Sequence, residues 1–235
     1  MDELDFLAHR VARGCNHRDV EAALRERGWT DCGAGDWAIA LRSPSSERAA
    51  RVSPFDPAYP YAVELYRRGA DNPYLPRLDL YAELEGGGSL LVMEHLWPAD
   101  PVQAEALREQ IRSGQEGDVD LGIALACVEA VHARALRELR WCGPLDLNPG
   151  NFMCDARGQL KLIDLFYMRG LELYSRVESA PSEVLETFPP ERRRYMFEIP
   201  YLLRDAPPGR AQEMHDALSA AERGLPSKEP RRRDR

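Results

Sequence analysis

Lysine is almost missing from this chain: of its 31 basic residues only Lys161 and Lys228 are lysines, and the rest are arginines. Any contact with an anion therefore falls mainly to guanidinium groups, whose planar fork is not equivalent to an ammonium point charge. Cysteine is short in number and in pattern. Cys15, Cys32, Cys127, Cys142 and Cys154 are odd in number and contain no Cys-x-x-Cys pair, which argues against a disulfide framework or a zinc site and for reduced thiols in a cytoplasmic setting. No apolar run approaches the roughly 20 residues that span a bilayer, so no membrane partner is expected. The opening MDELDFLAHR lacks the basic-then-apolar layout of a secretion signal. The net charge of −8 also makes nucleic acid a poor partner, because phosphate contacts need a basic face. No internal repeat or long linker is visible.

What is present fits a soluble globular chain. Its 235 residues, 44% hydrophobic and 30% charged, are enough to bury one sizeable core in one domain of two lobes. Residues 1–28 read as two short helices, with stripes at Leu4, Phe6, Leu7 and Val11 and at Val20, Ala23, Leu24 and Trp29. Asn16 is a natural N-cap and Gly28 a natural stop. A DNA-reading helix pair would need a basic surface, so a helical brace packed on the domain is the better reading. Residues 30–53 read as a strand, a turn at Ser43-Pro44-Ser45-Ser46 and a second strand, with Gly33-Ala34-Gly35 at the head. A glycine-rich loop there would let backbone N–H groups approach phosphates.

Further along, a helix is expected over Tyr59–Arg68, a strand over 78–84, a turn at Gly86-Gly87-Gly88 and a strongly apolar strand over 89–95 (SLLVMEH). Helical spacing then covers 103–113 and 119–140, and three more helices are expected at 182–187, 191–204 and 210–223. His132, on the second of these, has no metal-type ligand spaced near it and reads as structural. KEPRRRDR is a charged tail, expected to be solvated.

The chemistry-bearing stretch is WCGPLDLNPGNFMCDARGQLKLIDLFY, residues 141–167. Asp146 and Asn151 lie five apart on a loop tightened by Pro149 and Gly150. Phe152–Cys154 and 160–163 are short apolar runs joined by Asp155-Ala156-Arg157-Gly158, a turn that would fold Asp164 back beside Asn151. Two convergent oxygen ligands suit a hard cation such as Mg²⁺, which keeps its other positions for phosphates and water. Asp146 is then free to orient or deprotonate a hydroxyl.

Asp146-Leu147-Asn148-Pro149-Gly150-Asn151, followed by a hairpin and Asp164, resembles the catalytic core of the protein-kinase-like superfamily, including its aminoglycoside-phosphotransferase branch and compact bacterial or phage kinase-like proteins. The resemblance implies an α+β, kinase-like bilobal fold. A small antiparallel sheet lobe with an N-terminal helical extension (residues 1–97) would precede a short, mainly helical lobe (98–235). It implies ATP and Mg²⁺ as cofactors, and transfer of the γ-phosphoryl group to a hydroxyl of a protein or small molecule. Asp146 is the implied catalytic residue; Asn151 and Asp164 are the implied metal ligands. Gly33 and Gly35 would cover the phosphates, and Arg51, in Ala49-Ala50-Arg51-Val52, stands in the place of the nucleotide-binding lysine. Glu64 is its implied helix partner, and the backbones of Glu94 and Leu96, beside Met93 at the hinge, would meet adenine. Two positions depart from the pattern: Pro144 replaces the usual loop histidine and Phe166 the glycine after the metal aspartate. With Arg51, these departures motivate the alternative of a nucleotide-binding or inactive pseudokinase acting through a partner.

Overall fold

A computed structural model describes residues 3–114 and 118–224; the charged tail lies outside the described residues. Helices α1 (Glu3–Val11) and α2 (His17–Glu26) open the chain. Asn16 caps α2: its side chain accepts from the Arg18 and Asp19 N–H groups, and Asp19 returns the bond to the Asn16 N–H at 3.0 Å. The chain turns at Gly28, with φ +82°, into the sheet.

Residues 30–53 make three strands where the sequence suggested two: β1 (Thr30–Ala34), β2 (Ile39–Arg42) and β3 (Arg48–Ser53). All five β1 residues are exposed, so the strand carries no apolar alternation to reveal it. After α3 (Tyr59–Arg68) come β4 (Leu78–Glu83) and β5 (Ser89–Glu94), and the five strands form one antiparallel sheet in the order β1-β2-β3-β5-β4. Central β5 is buried on both faces over its first five residues, as its unbroken apolar run requires. One face is covered by α1 and α2, where Leu7, Val20, Leu24 and Trp29 pack on Leu41, Val52, Leu90 and Val92. The helical pair is thus a brace. The other face meets α3 and joins a second, larger apolar cluster with the helices that follow.

From β5 the chain passes through β6 (Trp97–Pro98) into α4 (Pro101–Ser113) and the long α5 (Val119–Glu138). Asp100 caps α4, and Gly114 closes it in the left-handed conformation. Hairpin β7 (Phe152–Cys154) and β8 (Leu160–Leu162) pairs with β6, making a second sheet in the order β6-β7-β8. The remainder is α6 (Gly170–Ser179), α7 (Pro181–Thr187), α8 (Pro190–Arg193), α9 (Pro200–Arg204) and α10 (Arg210–Gly224). Helix α6 was not foreseen, and the single helix expected over 191–204 is broken. Pro200 holds Ile199 extended at ψ 146°, as a residue before proline must be. The architecture is therefore α+β, a small antiparallel sheet joined to a mainly helical part. No helix among the described residues is long and apolar enough to cross a membrane.

Contacts besides the β5–β6 connection tie the sheet to the helices. The 3-10 turn Glu85–Gly87 between β4 and β5 seats on residues 192–195: a Cβ on Gly87 would lie 2.0 Å from the Arg192 carbonyl oxygen, and φ there is +95°. Gly87→Ala should therefore lower stability by about 2–3 kcal/mol, measured by urea unfolding, since both the backbone conformation and the space reject a methyl group. On α2, Arg18 and His17 reach Glu198 at 2.6 and 3.2 Å. At the β1–β2 tip the Tyr201 N–H donates to the Asp36 carbonyl at 3.0 Å.

Candidate active site

The loop 141–151 is held from both sides. Beneath it, residues 141–146 run antiparallel to 165–169: the Gly143 N–H donates to Tyr167 O at 2.9 Å, Asp146 N–H to Leu165 O at 2.9 Å and Arg169 N–H to Trp141 O at 2.8 Å. A Cβ on Gly143 would lie 2.4 Å from the Tyr167 ring, so this close approach depends on glycine. From α5, His132 Nε2 lies 2.9 Å from the Gly143 carbonyl, and its ring stacks on Phe166 at 5.9 Å and 16°. His132 thus supports the loop immediately before Pro144, where the resemblance leads one to expect a histidine. His132→Phe keeps a ring against Phe166 but loses the bond to Gly143. It should cost about 1 kcal/mol, checked by chemical denaturation.

The loop folds on its own polar groups. Asp146 Oδ1 accepts from the Asn148 N–H at 3.0 Å, and Asn148 Oδ1 from the Gly150 N–H at 3.0 Å. The Asn151 amide nitrogen donates to Asp146 O at 3.1 Å and Asp164 O at 3.3 Å, tying loop and hairpin together and leaving its amide oxygen as an acceptor. Asp146, Asn151 and Asp164 consequently line one cleft. Asp164 has φ +48°, one of two positive values among described non-glycine residues; aspartate tolerates this conformation better than most residues, and it is found where function fixes the backbone. Asp164 Oδ1 is buried and has no hydrogen-bond partner.

Arg51, on β3, reaches the same cleft. Its Nη2 bonds Asp56 Oδ2 at 2.6 Å, its Nε lies 3.8 Å from Asp164 Oδ1, and its guanidinium sits 3.6 Å over the Tyr59 ring. Burial alone would lower the Arg51 pKa; Tyr59, Asp56 and Asp164 outweigh it and hold the guanidinium charged. Burial raises the Asp56 carboxyl, and the guanidinium beside it works in the opposite direction. Arg51 Nη1 and the Tyr59 hydroxyl are buried without partners.

Glu64 does not meet Arg51. Its carboxylate pairs with Arg68 at 2.6 Å and with Arg134, on the far side of α3 from the cleft. The place foreseen for Glu64 is taken by Asp56, which sequence reasoning missed. A signal was present: Asp56 lies five residues after Arg51, in a connection that ends at the start of α3, where its Oδ1 accepts from the Ala58 N–H at 3.2 Å. An arginine stacked on Tyr59 has the reach to meet that nearer carboxylate.

Gly33 and Gly35 line the cleft opposite the loop. Gly33 is inside β1, paired with Ala40, and the Gly35 N–H is spent on Ala38 O at 2.9 Å. At the β5–β6 junction the Glu94 N–H is used by Arg77 O and the His95 N–H by Glu47 O. The Leu96 N–H makes no hydrogen bond to another described residue, and Leu96 and Met93 line the cleft. The Glu94 carboxylate accepts from the Arg77 N–H and meets buried Lys161 at 3.4 Å, fastening this junction to β8. The cleft volume is about 890 Å³, within the range of small-molecule and cofactor sites. Among the described residues no group of three or more His, Cys, Asp or Glu side chains is placed to hold a metal.

No family model matches the chain, and no curated protein matches it. Among solved structures it is similar to a chain of the CAK complex from Chaetomium thermophilum bound to ATP-gamma-S, at 18% identity, 60% coverage of this chain and a TM-score of 0.34; it spans only 47% of that chain. It is similar to the Cydia pomonella granulovirus kinase PK-1 at 10% identity, covering 94% of this chain and 96% of that one, with a TM-score of 0.39. An apo pseudokinase aligns at 14% identity over 86% of each chain, with a TM-score of 0.31. A likeness at these scores carries neither a fold nor an activity over to this chain.

Proposed function

We propose that this chain is a kinase-like phosphotransferase, one unit of two lobes meeting near residues 97 and 98, which moves the γ-phosphoryl group of ATP to a hydroxyl. The observation that carries the reading is the convergence of Asp146, Asn151, Asp164 and Arg51 on one cleft, with two atoms of opposite charge that make no hydrogen bond: Asp164 Oδ1, whose ion pair with Arg51 Nε is long at 3.8 Å, and Arg51 Nη1. A carboxylate oxygen without a hydrogen bond fits a cation, and a buried guanidinium nitrogen without one fits a phosphate oxygen. Asn151 Oδ1 and Asp164 would hold Mg²⁺, a hard cation that takes oxygen ligands. Bound there, the ion supplies charge neutralisation as the phosphoryl group moves.

The chain's own residues do the rest. Leu96 offers its N–H to the base beside Met93, and Arg51, fixed by Asp56, presents Nη1 to the phosphates. Asp146, its carboxylate oriented by the Asn148 N–H, takes the acceptor's proton. The acceptor oxygen forms its bond to the γ-phosphorus as the bond to the ADP oxygen breaks. Positioning and electrostatics supply most of the rate in such a reaction. Titration calorimetry with ATP, with and without Mg²⁺, tests the reading: binding strengthened by Mg²⁺ is expected, and no nucleotide binding in either condition overturns it.

One observation favours a second reading. Arg51 is already satisfied on one side by Asp56 at 2.6 Å, so a chain that binds nucleotide and acts through a partner, without transfer, would need no change in this geometry. Mg-ATP binding with no hydrolysis or transfer by the purified protein would select that pseudokinase reading.

A further inference from the structure

Beside the nucleotide cleft lies a second cavity of about 480 Å³, and the two share Asp36, Trp37 and Tyr167 as a common wall. Trp37, at the β1–β2 tip, is held in the helical part: it stacks on Tyr174 at 6.2 Å and 23°, and lies so near Gly170 that a Cβ there would be 3.2 Å from the indole. Tyr201 closes the opposite side, its N–H fixed on Asp36 O. Four of the eleven lining residues, Trp37, Tyr167, Tyr174 and Tyr201, are aromatic. The charged residues lining the cavity are Asp36, Glu172 and Arg169. That guanidinium is engaged by Glu172 at 3.0 Å and by the Cys142 carbonyl at 3.2 Å, and Asp36 is paired in turn with Arg204 at 3.6 Å. The charges at the cavity are thus already paired with one another, and a carboxylate on the ligand would have to compete with Glu172 for Arg169.

The chain after Asp164 also restricts what can enter. It runs into α6 at Gly170, and its extended stretch 165–169 is already paired along residues 141–146 through the Asp146–Leu165, Gly143–Tyr167 and Trp141–Arg169 bonds, so that edge is not open to a peptide. We infer that this cavity is the acceptor pocket, and that its ligand is an uncharged ring compound carrying a free hydroxyl rather than a protein side chain or an acidic metabolite. The meaning of the pocket as an acceptor site rests on the phosphotransferase reading; its binding preference does not. Flat rings match aromatic walls, and a volume of this size encloses one small molecule. Asp146 lines the cleft and not the cavity, so in the reaction the ligand's hydroxyl reaches past Trp37 and Tyr167: its oxygen bonds to the γ-phosphorus, ADP leaves with the broken bond's electrons, and the hydroxyl proton passes to Asp146.

The probe is tyrosol, a ring with one phenolic and one aliphatic hydroxyl, followed by ligand-observed NMR. A Kd of about 1 mM is expected for a fragment of this size, and about tenfold weaker binding for 4-hydroxyphenylacetate, which carries a carboxylate on the same ring. Tyr201→Ala should weaken tyrosol about tenfold, and so should Leu171→Asp at the exposed rim, which removes apolar wall without touching the core. Unfolding temperatures verify that both variants fold. No tyrosol binding up to about 20 mM, equal binding of the carboxylate, or wild-type binding by both variants overturns the proposal. Phosphorus NMR with Mg-ATP should reveal a tyrosol phosphomonoester, and its absence at saturation with both ligands bound overturns the acceptor role. Tyrosol binding without nucleotide binding would leave the pocket and remove the phosphotransferase reading; nucleotide binding without tyrosol binding would do the reverse.

Discussion

The Asp164→Asn protein should transfer phosphate at least about 10³-fold more slowly than the wild type, a loss of about 4 kcal/mol in transition-state stabilisation. Asparagine is the informative replacement because it tolerates the left-handed backbone that Asp164 adopts at φ +48°. Alanine would confound a local strain with the lost charge. The main change in the Asp164→Asn protein is therefore removal of a carboxylate whose Oδ1 makes no hydrogen bond and only a 3.8 Å ion pair with Arg51. Stability should change little, and the affinity for ATP should lose its dependence on Mg²⁺. A coupled assay for ADP formation, with calorimetry in parallel, reads both. Retention of more than about a tenth of the activity would remove Asp164 from the metal site.

Asp56→Ala should destabilise the protein by about 3–5 kcal/mol, because it leaves the buried Arg51 guanidinium without its 2.6 Å partner. It also takes away the acceptor for the Ala58 N–H at the start of α3. Asp164, 3.8 Å from Arg51 Nε, is too distant to replace the lost bond without moving. Glu64→Ala should cost under about 1 kcal/mol, since its partners Arg68 and Arg134 are each more than a third exposed. The contrast separates the two carboxylates directly. Replacing both charges, Arg51→Met with Asp56→Leu, should recover most of the stability, as apolar substitutes for a buried pair often do. The recovered fold should not bind Mg-ATP. If it binds as the wild type does, Arg51 is only a structural cation.

The convergence of Asp146, Asn151 and Asp164 was more legible in the chain than the partnerships around them. Asp146, Asn151 and Asp164 could be placed on one cleft from sequence because a five-residue spacing, a Pro-Gly turn and a two-stranded hairpin are local rules, each enforced within a few residues. Asn16 and Gly28 could be read as helix boundaries for the same reason. Choosing between Glu64 and Asp56 was different in kind. It depended on where a long arginine side chain goes once Tyr59 lies beneath it, and no periodicity encodes that. The edge strand β1 escaped notice because all its residues face solvent. Helix α6 carried a readable stripe in Leu173, Tyr174 and Val177, but no capping side chain marks its start. The His132 contact with Gly143 joins residues 11 apart on different elements, and only the packed structure brings them together.

The Gly87 seat on Arg192, the Glu198 contacts of α2 and the Asp36–Tyr201 bond have a kinetic consequence. Opening the cleft by swinging the sheet away from the helices would have to break all three at once. A ligand whose exchange required that swing would depart at the pace set by these ties, even if held by only a few bonds. Weakening any one of them should speed both arrival and departure and leave the equilibrium constant nearly where it was.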